Sequence, residues 1–200
     1  MLLGKSMINF LKNKASLKLP DINLPIPENW HEQFILHLVS LLRPKLYVEL
    51  GLYHCELFNK LEPYVDEMIG IDINNDFGKY MIKSPKAKFI CTTTNEFIKS
   101  NQLKNKEIDL LFIDANHSYK SVKTDFVNYF KHVSDQGIIL LHDGYPKNKK
   151  YTSSGYCGDG YKAIWEIAKK MTNYELVTIP IHPGLTICRK RRYQIPWNNK

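Results

Sequence analysis

Two short stretches hold the residues best suited to chemistry. In Ile108–Tyr119, read IDLLFIDANHSY, the apolar run Leu110–Ile113 ends at Asp114, and His117 follows three residues later. In Gly137–Asp143, read GIILLHD, a second apolar run stops at His142 and Asp143. Runs of this length, closed abruptly by polar residues, read as parallel strands buried on both faces. Ligands of open α/β sheets bind just beyond the carboxyl ends of such strands. Two neighbouring strand tips, each with a carboxylate beside a histidine, suit a hard divalent cation. A cation beside a hydroxyl lowers its pKa and fixes its direction. Neutral His117, with an unperturbed pKa of about 6.5, could accept the released proton. Blander roles stay open: Asp114 as a helix cap near Ser118, His117 as a satisfied rim histidine, His142 packed beneath a loop.

The frame that must position these groups follows from the hydrophobic pattern. Glu28–Leu42 has apolar residues at helical spacing and is stopped by Pro44. Strands are expected at Leu46–Leu50, Met68–Ile73, Lys88–Cys91, Ile108–Ile113 and Gly137–Leu141. Helices are expected between them: one through Leu57, Leu61 and Tyr64, one capped by Asn95, and one over Ser118–His132. Gly144–Asp159 is long and polar and reads as a lid or substrate loop, followed by a helix over Tyr161–Met171. Tyr174–Ile179 and Leu185–Arg189 are joined by a turn too short for a parallel crossover, so this pair should be antiparallel. The whole reads as a doubly wound, Rossmann-like α/β sheet. Residues 1–27 are expected to form an N-terminal helix and a proline-rich connector, Pro20–Pro27, ahead of one domain over 28–200.

A chain of 200 residues suits one full core, and 44% hydrophobic with 24% charged residues is ordinary for a globular protein. No apolar stretch is long enough to span a bilayer. The N-terminus lacks a continuous apolar core and a cleavage site, so a cytoplasmic protein is expected. The net charge of +8 is scattered, with knots at Lys147–Lys150 and Arg189–Arg192. A solvated surface explains it better than nucleic acid, which is not the expected partner; a nucleic-acid-binding or RNA-modifying protein is the rival from another class. Cys55, Cys91, Cys157 and Cys188 form no C-x-x-C pair, which argues against structural zinc. Cys55, Cys91 and Cys188 sit in apolar contexts and are expected in the core.

The first strand ends Glu49-Leu50-Gly51, and Asp72 closes the second about twenty residues on. A glycine there allows a tight turn, and a carboxylate there can accept from two ribose hydroxyls. A plain strand-end turn and a helix cap are the alternatives for each alone. A dinucleotide fold would repeat the glycine, yet Tyr53 and Glu56 stand at the later glycine positions. Bulky and anionic groups there disfavour a pyrophosphate. An adenosine-bearing cofactor without phosphate, S-adenosylmethionine, is the better match.

YVELGLYHCELF, IGIDIN, IDLLFIDANHSYKSVKTDF, GIILLHDG and GLTICRK together resemble the class I S-adenosylmethionine-dependent methyltransferases. The resemblance runs from about Trp30 to Lys190 and is closest to the branch that includes macrocin-type sugar O-methyltransferases and cephalosporin-hydroxylase-like proteins. It implies a seven-stranded sheet, mostly parallel with an antiparallel last strand. It implies that Glu49 and Gly51 lie along the methionine part of the cofactor, with Asp114 beside it. Asp72 would hold the ribose, and Thr93 and Thr94 would lie near the adenine. It implies Mg2+ on Asp114 and Asp143, with His142 where relatives carry a further acidic ligand, and His117 as general base. Cys55 stands where relatives have a second glycine, and Leu57 where they have a small hydroxyl residue. The expected activity is O-methylation of a small-molecule hydroxyl, such as a sugar or glycoside, by a possible homodimer. A hydroxylase-like or non-methylating member of the branch is the alternative.

Overall fold

The computed structural model describes residues 26–170 and 173–190. The chain divides into two units, Met1–Trp30 and His31–Lys200, and the sheet belongs to the second. The expected N-terminal helix, most of the connector, and Arg191 and Arg192 lie outside the described residues.

The elements in order are α1 (Trp30–Leu42), β1 (Leu46–Leu50), α2 (Glu56–Leu61), β2 (Glu67–Asp72), β3 (Ala87–Cys91), α3 (Thr94–Lys99), β4 (Ile108–Ile113), α4 (Tyr119–Phe130), β5 (Val133–Leu141), α5 (Gly160–Lys169), β6 (Tyr174–Ile179) and β7 (Leu185–Lys190). The seven strands form one sheet in the order β3-β2-β1-β4-β5-β7-β6. All pairs are parallel except those of β7, which runs antiparallel to both β5 and β6. The strand order reverses between β1 and β4, so the crevice of a doubly wound sheet opens above these two strands.

Burial explains why β1 and β4 read as unbroken apolar runs. All five residues of β1 are buried, as are all of β4 but Asp109. Asp109 caps the start instead, accepting from the backbone of Lys45 and Leu46. Helix α4 lays Val122, Phe126 and Tyr129 onto the sheet at i, i+4, i+7 spacing.

Three details depart from the sequence reading. β5 begins at Val133, before Gly137, because the strand passes through a register irregularity opposite Ile108 and Leu110. Asp135-Gln136-Gly137 has the composition of a turn, which hid this extension. Helix α3 is capped by Thr93, not Asn95: Thr93 accepts from Glu96 N while Glu96 returns to the Thr93 backbone, a full capping box. Cys91 is exposed at the end of edge strand β3, whereas Cys55 and Cys188 are buried as expected.

Candidate active site

Strand register sets the tips level. Leu50 pairs with Ile113, and Ile113 with Leu141, so Gly51, Asp114 and His142 emerge side by side. The ladder runs one step further: Asp114 N donates to Leu50 O at 2.9 Å and His142 N to Ile113 O at 3.1 Å. Asp143 then turns into the left-handed region, at φ 59°, which returns its side chain to the same rim.

Here the four predicted residues meet. His142 Nδ1 lies 3.0 Å from Asp114 Oδ1 and 3.4 Å from Asp143 Oδ1. His117 Nδ1 lies 2.6 Å from Asp143 Oδ2 and 2.7 Å from the Tyr156 carbonyl, and its Nε2 is 3.8 Å from Asp114 Oδ1. Both neighbours of His117 Nδ1 are acceptors, so that nitrogen carries the hydrogen and Nε2 faces Asp114. The hydrogen aligns with the Tyr156 carbonyl, and Asp143 Oδ2 is left buried without an aligned bond.

Charge follows from these contacts. Contact with Asp143 raises His117 to about 9, against the pull of burial. Burial alone would lower His142, but Asp114 and Asp143 outweigh it and hold it at about 10. Burial would raise Asp143, yet the two imidazoles hold its carboxyl well below the ordinary range. One ligand atom each from Asp114, His117 and Asp143 lies within 4.8 Å of the others. Two carboxylates with an imidazole are a donor set that fits a divalent cation. His142 Nδ1 approaches the same two carboxylates but stands outside that trio.

The cluster opens onto a cavity of about 610 Å³ bounded by Glu49, Gly51, Leu52, Asp72, Asp114 and His117, among others. Gly51 is required twice over. Its φ is +87°, and a Cβ there would sit 2.3 Å from the Asp114 carbonyl. The close approach is thus between the tips of β1 and β4. Cys55 takes the left-handed conformation, which favours glycine, at φ 58°. Asp72 already accepts from Leu52 N at 2.9 Å and Asn74 N at 2.9 Å, tying the β1 loop to the end of β2. Glu49 is buried and accepts the Tyr47 hydroxyl at 2.6 Å; burial pushes its carboxyl up to about 8.

A second cavity of about 470 Å³ shares Gly51 and Asp72 and continues past Ile73 to Thr93, Thr94 and Asp125. Thr93 is occupied by its capping duty, and the Thr94 hydroxyl donates to Asp125 at 2.6 Å. A third cavity, about 660 Å³, lies under the lid against Asn116, His117, Ser118 and Lys162. His117 therefore borders both the first cavity and the lid cavity. The lid is fastened at its far end, where Gly160 N donates to His117 O at 2.8 Å and Tyr119 N to Asp159 Oδ1 at 2.6 Å.

Sequence reasoning missed three contributors. His31, from α1, packs its ring 4.3 Å from that of His142, and burial with His142 nearby lowers it to about 4. The Tyr156 carbonyl is a backbone group with no residue signature. Asp125 reads as an ordinary polar residue on a helix. Only its spacing, three residues after Val122 and four before Tyr129, could have hinted at an inward carboxylate.

The fold and this carboxyl-edge crevice define a Rossmann-like cofactor-binding enzyme architecture. Residues 48–144 match the family described as a methyltransferase domain. That match spans just under half of the chain, and the fold is that of the class I S-adenosylmethionine-dependent methyltransferases. Among solved structures it is similar to the O-methyltransferase TomG from Streptomyces achromogenes in complex with SAM, with TM-score 0.67 and 13% identity over 86% of this chain and 83% of that one. It is similar also to an O-methyltransferase from Bacillus cereus in complex with SAH, with TM-score 0.67 and 12% identity over 94% and 91%. An uncharacterized protein, y4gI, from Sinorhizobium fredii is 27% identical over 132 residues, which is 56% of this chain but 14% of that protein's length.

Proposed function

We propose that this protein transfers a methyl group from S-adenosylmethionine to a hydroxyl oxygen of a small polar acceptor, such as a sugar or glycoside, with a divalent cation assisting. The observation that carries the reading is His117, which borders the crevice on one side and the lid cavity on the other. A group transferred between two bound molecules must cross such a junction. The O-methyltransferase names of the similar structures support an oxygen acceptor. The polar residues of the lid cavity, among them Asn116, Ser118, Thr152 and Ser154, support a hydroxyl-rich one.

In this reading Glu49, Gly51 and Asp114 line the methionine portion of the cofactor, Asp72 takes the ribose hydroxyls, and Thr93 and Thr94 border the base. Asp114 and Asp143 hold the cation, with His142 beside them. When bound, the cofactor supplies an electrophilic methyl, and the cation, magnesium on the resemblance, lowers the acceptor pKa. A bound cation would offset the carboxylates that keep the His117 ring cationic in the metal-free protein, and His117 would then take the proton on Nε2, because Nδ1–H is already directed at Tyr156 O. The Tyr156 carbonyl and Asp143 hold the ring in that tautomer.

The test is turnover of methyl-tritiated S-adenosylmethionine with a panel of glycosides. Label should enter a hydroxyl, and Asp143→Ala should abolish turnover while S-adenosylhomocysteine still binds. Unchanged turnover in that variant, with chelator present, would remove the cation from the mechanism.

A further inference from the structure

His142 is the buried ring that the proposed chemistry leaves without a task. Its backbone N donates to Ile113 O at 3.1 Å, which fixes where the side chain leaves β5. The ring is wedged between His31, at 4.3 Å between centroids, and the edge of Phe112, at 6.1 Å and 80°. The side chain is 12% exposed, and both ring nitrogens are sealed from solvent without an aligned hydrogen bond.

The position of Nδ1 gives the ring a use. It lies 3.0 Å from Asp114 Oδ1 and 3.4 Å from Asp143 Oδ1. Neighbouring ligands of an octahedral ion, each about 2.1 Å from it, stand about 3.0 Å apart. The nitrogen thus meets each oxygen near the spacing of an octahedral edge, while a hydrogen carried on it is aligned with neither. The type of atom then decides the ion. Mg2+ prefers oxygen and gives up its waters reluctantly, so a fixed imidazole takes a position that this ion fills better with water. First-row transition cations are softer and gain from an imidazole lone pair, more so from Mn2+ to Co2+. His31 and Phe112 close off rotation of the ring, so the nitrogen cannot swing aside for a water.

We propose that His142 Nδ1 is a ligand to the cation, and that this imidazole sets the site for a first-row transition cation, Mn2+ or Co2+, over the Mg2+ that the resemblance alone implies. The proposal rests on the cation reading above. Asp114 and Asp143 complete the protein's share of the shell. His117, whose Nε2 stands 3.8 Å from Asp114 Oδ1, is left to the proton.

The experiment is calorimetric titration of the chelator-treated full chain with Mg2+, Mn2+ and Co2+, together with pulsed electron paramagnetic resonance of the Mn2+-loaded protein. The unmodified protein should bind Co2+ at least about hundredfold more tightly than Mg2+, with Mn2+ between them. Carboxylate sites also favour Co2+ to some degree, so the decisive comparison is His142→Glu, which replaces nitrogen by oxygen. There the gap between Co2+ and Mg2+ should shrink about tenfold or more, with Mg2+ binding retained or tightened as the sign of an intact site. Mn2+ on the unmodified protein should show the nitrogen coupling of a directly bound imidazole. That coupling should vanish in His142→Glu and survive in His117→Gln. Should His142→Glu fail to fold, the other two proteins still decide. Coupling absent from the unmodified protein, or lost in His117→Gln, overturns the role of His142. A Co2+ to Mg2+ ratio unchanged in His142→Glu also overturns it and leaves the cation site standing. Absence of binding by all three ions overturns the cation reading as well.

Discussion

Several acids and bases in this crevice stand far from their ordinary ionisation, each for a nameable reason. Glu49 is buried among apolar strand residues with one hydroxyl donor, so it holds a proton up to about pH 8. Its folded pKa is raised, so the stability it contributes is complete below the unfolded carboxyl pKa and is lost as pH rises through about 8. Thermal melts of the metal-free protein should therefore fall between pH 5 and 9 (roughly the interval between the two pKa values), and Glu49→Gln should flatten that slope. His117 obeys the same sign: its contribution is present below the unfolded imidazole pKa and is lost as pH rises through about 9. Proton NMR of the metal-free protein should show the His117 ring still cationic at neutral pH. Asp143→Asn, which removes the carboxylate beside it, should bring its titration back toward about 6.5. An unshifted ring in that variant would mean Asp143 is not what holds the charge.

At the scale of elements, the site is a consequence of register. Pairing Leu50 with Ile113 and Ile113 with Leu141 is what brings the three tips level. The strands that carry it were legible because apolar runs and abrupt polar ends are local patterns. The bounds of β1, β4 and β6 follow directly from them. The start of β5 was not legible, since a strand irregularity is fixed by its partner Ile108 rather than by its own sequence. The cap of α3 was misread because Thr93 and Asn95 are both good caps, and only the reciprocal bond from Glu96 decides between them. The lid was visible as a polar loop, but not its fastening. Gly158 stands at φ +60°, and a Cβ there would lie 2.3 Å from His117 O. Gly158→Ala should therefore cost about 1–3 kcal/mol and lower kcat/KM more than it lowers Tm, because the lid and His117 move together. Urea unfolding alongside initial rates would check this. A variant with wild-type rates would separate the lid from His117.

For the whole molecule, the proposed cofactor half and the acid–imidazole half come from different signals. The first came from spacing, Gly51 to Asp72, and the second from two strand ends that only the strand order makes neighbours. His31 and Tyr156 were beyond sequence reasoning because one arrives from α1 and the other acts through its backbone. The measurement closest to the centre of the account is titration calorimetry of the full chain with S-adenosylhomocysteine. One molecule per chain, with Kd in the micromolar range, about −8 kcal/mol, is the predicted result. No heat of binding up to millimolar ligand, from protein whose melt shows it folded, would contradict it.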